Sequence, residues 1–245
     1  MHSQAVTRIV SYGQRYADEN IAELKSNKNA LQSNHWEALL YLFTKVFYQG
    51  RRDKTSEEVS KQAKRILSNH PEIQQGIWTE KTIQVIEKDL ETCIGPGFVG
   101  KRGDIKMVSG ILHYLMTLND RNIVRHSIKI IEMEGFQVMS NELKSLYQIG
   151  DKIASFYLRD LIQIFDLKYD TEDAQYLQPV DTWVRKIALL LDISKEGDSD
   201  ASIVKAMTSL CTEHGQSYLL FNQGIWYLGA NSFTLLIEQL KALSE

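Results

Sequence analysis

Leu146-Tyr147-Gln148-Ile149-Gly150-Asp151-Lys152-Ile153-Ala154 lies between two stretches of helical periodicity. Gly150 permits a tight turn between the two helices. Free N–H groups at the start of the second helix can hold a phosphate oxygen. Lys152 falls in that positive end, where the helix dipole disfavours its protonated form and burial would add to the effect. A lysine so placed can act as a neutral nucleophile near pH 7. From Lys152 alone, a capped helix pair with a solvated amine is the better reading. A second feature changes the balance. Gln178-Pro179-Val180-Asp181-Thr182-Trp183 puts a carboxylate at another helix start. Asp181 there reads as an N-cap and equally as a partner for the amine in chemistry at a sugar carbon, two roles that can coexist.

The remaining composition narrows the class. A length of 245 residues fits one large domain or two small intimate ones. Hydrophobic residues make up 43%, enough for a full core, and few segments alternate as strands do. The expected fold class is all-α. A net charge of −3 argues mildly against nucleic acid as a partner of the whole surface, although local patches set the footprint. Cys93 and Cys211 are too few for a disulfide framework or a four-thiolate cluster. No apolar run reaches membrane-spanning length, and the N-terminus lacks the pattern of a signal peptide. A cytoplasmic protein is expected, nucleoid-associated if the source is prokaryotic.

Helical periodicity places helices near 3–25, 35–48, 55–68, 79–91, 104–117, 120–133, 140–147, 151–165, 181–192, 200–213, 216–228 and 231–243. Ser33-Asn34, Thr55-Ser56-Glu57-Glu58 and Ser140 read as helix starts, and Gly197-Asp198-Ser199-Asp200 as a loop with a capping Asp. Ile94 to Gly103 is Gly-rich and basic, and 166–178 forms a polar, acidic insertion.

The hairpin, expected over 140–165, resembles the motif of the helix-hairpin-helix base-excision DNA glycosylase superfamily (HhH-GPD). The usual form of that motif is Leu-Pro-Gly-Val-Gly-X-Lys-X-Ala. Leu146, Ile149, Gly150, Lys152 and Ala154 stand at matching positions, and Pro179-Val180-Asp181-Thr182 resembles the signature of the catalytic Asp. Two matches in the right order are more specific than either alone. Tyr147-Gln148 departs from the usual Pro-Gly. The 29 residues from Lys152 to Asp181 exceed the common spacing by the acidic insertion.

The resemblance implies a single glycosylase domain over 1–245, with 35–147 and the terminal helices as two intimate lobes and the active site in the cleft between them. It implies a monomer that acts on double-stranded DNA containing a damaged base, with no membrane, cofactor or metal. Members with both residues are bifunctional: Lys152 would attack C1′, and Asp181 would stabilise charge on the sugar and assist proton transfer. The base must be extruded from the duplex. Phe156 follows Lys152 by one helical turn. Asn222 with Trp226, and Gln223 with Tyr227, each pair a hydrogen-bonding group with a stacking face. This layout is most like archaeal 8-oxoguanine DNA glycosylase/AP lyases, in which Phe156 and Trp226 would sandwich the base. Asn222 stands where an acidic residue is expected, and for Tyr227 plain core packing is an equal reading.

Gln49 resembles the amide that fills the gap left by the flipped nucleotide. Candidate phosphate contacts are Gln148, Gly150, Arg51, Arg52, Lys101, Arg102 and Lys106. Three rivals stay open: a glycosylase for oxidised pyrimidines or alkylated purines, a non-catalytic DNA-binding helix-hairpin-helix module, and an all-α scaffold. The charge pattern makes one expectation measurable. Replacing Arg51 and Arg52 by Ala should weaken duplex binding and lower the slope of log K against log salt by about 0.9 per lost phosphate contact. An unchanged slope would remove both residues from the footprint.

Overall fold

The computed structural model describes residues 2–49, 53–93 and 101–242, and the backbone forms α-helices with no strand among them. The helices are α1 (His2–Asn20), α2 (Ala22–Ser26), α3 (Lys28–Ser33), α4 (His35–Val46), α5 (Asp53–Ser68), α6 (Pro71–Gln75), α7 (Glu80–Thr92), α8 (Arg102–Thr117), α9 (Ile123–Glu134), α10 (Phe136–Lys144), α11 (Asp151–Phe165), α12 (Ala174–Leu177), α13 (Thr182–Leu190), α14 (Asp200–Glu213) and α15 (Tyr218–Ala242). The all-α expectation holds. No helix among the described residues is long and apolar enough to cross a membrane.

Several boundaries differ from the periodicity for identifiable reasons. Asn34 caps α4 as expected, its side chain accepting from the Trp36 N–H. Thr55-Ser56 is no helix start, because α5 already includes Asp53 and Ser56 is buried within it. Ser140 likewise lies inside α10, which begins four residues earlier after Gly135 at φ 93°. Ser199, and not an Asp, caps α14 by accepting from the Ser202 N–H, while Asp198 accepts from the Lys195 N–H. The short helices α3, α6 and α12 are too brief to show a period. The expected helices 216–228 and 231–243 are one continuous α15, because the Leu228-Gly229-Ala230 stretch does not break it.

The chain divides into two compact units, one of residues 27–158 and one of residues 1–26 with 159–245; the division falls within α11. In the first, α4 supplies an apolar face in which Leu39, Leu42, Phe43 and Val46 are buried, with Ile83, Ile86 and Leu90 of α7 and Met107, Val108, Ile111 and Leu112 of α8 also in the core. Trp78 is fully buried there, and its indole N–H donates to the Leu112 carbonyl at 3.2 Å. Glu142 anchors α10 by accepting from the Tyr114 hydroxyl and pairing with His126, each at 2.8 Å.

In the second unit, the backbones of α1 and α15 approach closely at two glycines. A Cβ added to Gly13 would run into the Leu220 carbonyl, and one added to Gly224 into the Ile9 carbonyl. Val6, Ile9 and Tyr16 line the buried face of α1 at helical spacing with Gly13. Tyr227 of α15 stacks on Tyr12 at 6.4 Å, and its hydroxyl donates to Glu19 at 2.9 Å. Backbone lies where the new methyl would go, so neither helix can yield locally. Gly224→Ala should therefore lower stability by about 1–3 kcal/mol, read as a lower urea midpoint at unchanged slope. A midpoint equal to that of the unmodified protein would refute the close approach.

Candidate functional site

The connection between α10 and α11 is residues 145–150. The Ile149 N–H donates to the Leu146 carbonyl at 3.0 Å, which closes a four-residue turn. The positive φ of that turn falls on Gln148, at 63°, and not on Gly150. A positive φ confined to the third residue is the signature of a type II turn, where Gly or Asn is the usual occupant. The expectation that Gly150 makes the tight turn is thus corrected. Gly150 instead supplies the carbonyl that accepts from Ile153 and Ala154, and a Cβ on it would meet no atom. Gln148 takes the left-handed conformation at a cost of about 1–2 kcal/mol for a residue with a Cβ. Its exposed side chain lies with the amide end against Gly103, in the first turn of α8.

That contact joins the connection to the basic start of α8. Arg102, Lys106 and Tyr147 line a cleft of about 500 Å³ together with Glu87 and Glu91 of α7. Gln148, Arg102 and Lys106 are therefore neighbours in one unit, and Lys101, Arg102 and Lys106 are exposed. The two glutamates put opposite charge into the same cleft. Arg51 and Arg52 lie outside the described residues. The Gln49 amide is turned inward, donating to the Val46 carbonyl at 2.6 Å and lying 2.8 Å from Met107 Sδ.

Lys152 occupies the first turn of α11 and is half-buried. Its ammonium donates to the Tyr48 carbonyl at 2.9 Å. The Tyr48 ring stands edge-on to Phe156, with centroids 5.7 Å apart. Phe156, only 7% exposed, has the Lys45 ammonium 4.5 Å from its ring centroid. Lys45 is itself buried and lies 5.5 Å from the Tyr41 ring. Burial, and then Lys45, push the neighbouring Lys64 amine down to about 8. Burial, followed by Glu57 and Asp53, pushes the Tyr48 phenol well up, so it stays a neutral donor. Lys45 and Tyr48 are participants that periodicity does not reveal, although a lysine amid Leu42, Phe43, Val46 and Phe47 is an anomaly legible in the sequence.

Asp181 lies in the other unit, half-buried, as the N-cap of α13. Its Oδ1 accepts from the Val184 N–H at 2.9 Å. Asn222 and Gln223 are completely buried in that unit. Asn222 accepts from Arg159 Nη1 at 3.0 Å and donates to the Pro179 carbonyl at 3.1 Å. Gln223 pairs with Gln163 at 3.0 Å and approaches Asp160 at 3.3 Å. Both amides thus face protein groups, where the sequence reading had them presented to a base edge. Trp226 is half-buried and edge-on to Tyr16 at 5.5 Å, and Tyr227 sits in the α1–α15 packing. Sequence reasoning missed Arg159-Asp160, a charged pair inside the apolar run from Ile153 to Ile164 and a legible sign of a buried polar cluster.

The cap makes Asp181 separable into its two roles. Asp181→Ala should cost about 1 kcal/mol in urea unfolding, whereas Asp181→Asn, an equally good cap, should stay within a few tenths. An equal loss in both would show that the charge, and not the cap, carries the stability.

No family model matches the chain, and neither a curated protein nor a solved structure matches it at a significant level.

Proposed function

We propose that this protein is a bifunctional DNA glycosylase and abasic-site lyase built on a helix-hairpin-helix motif, with an oxidised purine, 8-oxoguanine, as its base. The observation that carries the reading is the left-handed backbone of Gln148. It falls where the superfamily motif has its first glycine, a residue that adopts positive φ freely. The departure of Tyr147-Gln148 from the usual Pro-Gly therefore leaves the turn that such a motif requires. Lys152 follows in the first turn of α11 with its amine held at a defined carbonyl.

Lys152 gives up a proton to solvent, and the Nζ lone pair attacks C1′. The glycosidic bond breaks, its electron pair leaving with the base, which takes up a proton. Ring opening gives a protonated Schiff base at C1′. Loss of a C2′ proton then expels the 3′ phosphate by β-elimination. The Asp181 carboxylate stabilises the positive charge developing on the sugar and assists proton transfer. The Tyr48 carbonyl aims one N–H of Lys152, which leaves the amine's remaining directions for the substrate. Gln148, Arg102 and Lys106 take phosphates, which position the duplex without reading its sequence. The two-lobe arrangement and the monomeric state belong to the same reading.

One observation favours a second reading, a non-catalytic DNA-binding module: Asn222, Gln223 and Phe156 are buried against protein groups. Borohydride trapping on an 8-oxoguanine duplex separates the two. The unmodified protein should form a covalent adduct and cleave the strand, and Lys152→Ala should form none. An adduct that survives Lys152→Ala would sink the assignment of the nucleophile. Duplex retention without adduct or cleavage by the unmodified protein would favour the module. Release of thymine glycol but not 8-oxoguanine would replace the proposed base.

A further inference from the structure

Arg159 and Asp160 form an ion pair at 2.9 Å in which both side chains are essentially inaccessible, at 1% and 0%. Such a pair is a poor device for stability alone, since desolvation offsets most of its attraction. The bonds around it indicate another use. Tyr16 donates to Asp160 Oδ2 at 2.7 Å, and Arg159 Nη2 donates to the Tyr16 oxygen at 3.1 Å. Asp160 is thus engaged by Arg159, Tyr16 and Gln223. Arg159 Nη1 is then directed at Asn222 Oδ1. A guanidinium has no acceptor, so it can only take the oxygen end of the Asn222 amide. The amide cannot flip, and its NH₂ end must face the Pro179 carbonyl. One residue earlier, the Gln178 amide donates to Thr208 at 2.7 Å. The chain is therefore held at two successive residues just before Asp181, and Pro179 adds a fixed φ between them.

We propose that Asn222 is a positioning residue: the buried Arg159–Asp160 pair fixes the orientation of its amide, which holds Pro179 and thereby sets where Asp181 presents its carboxylate. The mechanistic use of that carboxylate rests on the glycosylase reading, whereas the positioning itself does not. The same bonds give Asn222 and Gln223 a reason to be amides other than contact with a base. Gln223 must donate to Asp160 while exchanging hydrogen bonds with Gln163, and Asn222 must accept at one end and donate at the other.

Two substitutions in the full chain test this. Asn222→Asp keeps an acceptor for Arg159 and removes the donor to Pro179. Arg159→Lys keeps a cation beside Asp160 and removes the fork that pins the amide. The first readout is hydrogen exchange of the Val184 amide, which the Asp181 carboxylate protects, measured against the Leu161 amide in the core of the same unit. In each variant, Val184 protection should fall about tenfold or more relative to Leu161. The second readout compares single-turnover base release with borohydride trapping on a preformed abasic site, which needs Lys152 but no base expulsion. Release should fall while trapping persists. Val184 protection that falls only in step with Leu161, as general loosening would produce, overturns the positioning role. A selective loss at Val184, in a protein whose unmodified form neither releases a base nor traps, sustains the positioning and sinks the glycosylase reading.

Discussion

The close approach of α1 and α15 sets the geometry of the unit that carries Asp181. At Gly13 and Gly224 the two backbones meet with no room for a methyl group. That contact fixes the height at which Tyr16 stands on α1 relative to α15. Tyr16 in turn supplies the hydroxyl that bridges Asp160 and Arg159. Dispersion between closely packed backbones and burial of Val6, Ile9, Phe221 and Ile225 supply the attraction. The polar groups then choose one arrangement among those that apolar packing alone would tolerate. Burial, and then Asp160, push the Tyr16 phenol far above its ordinary range. Burial works against the charge of Arg159, but Asp160 and Tyr16 outweigh it, so the guanidinium stays charged. Tyr16 therefore stays a neutral hydroxyl and Arg159 a charged donor in the cluster.

The other unit solves a different problem, that of holding an amine in a defined place at the start of a helix. The Tyr48 carbonyl, two residues beyond the end of α4, accepts from Lys152, and the ring of Tyr48 is met from α11 by Phe156. The amine and the ring four residues along are thus tied to the same short segment. Lys45 closes that arrangement by placing a buried cation over the face of Phe156. The connection before α11 is held separately, by Gln148 lying against Gly103 and by the anchoring of α10 through Glu142.

Much of this was legible in the chain, and the illegible part has a common cause. The periods of α7 and α8 appear because each buries one face, whereas α11 is buried all round from Ile153 to Ile162 and is marked by its apolar run. The caps Asn34 and Asp181 appear because a side-chain oxygen before a helix has a local purpose. Misplaced starts at Thr55 and Ser140 show the limit of such signals, since a short polar side chain caps only where the chain is not already helical. Gln148 shows a subtler limit. Its sequence context points to a turn, but a glycine two residues along is the more obvious bearer of positive φ, and the backbone places it on Gln148 instead.

What the sequence determined by itself is the all-α class, most helix positions, and the amine and carboxylate at two helix starts, because helix periodicity and capping are interactions between near neighbours. Tertiary structure alone decided the employment of each polar side chain. Asn222, Gln223 and Gln49 have the composition of ligand-reading amides, yet their partners are Arg159, Pro179, Gln163 and the Val46 carbonyl. An amide looks the same in sequence whether it faces a ligand or a buried guanidinium. The difference is made by which donor or acceptor the fold brings within about 3 Å of it, and a buried polar group must be satisfied by whatever stands there.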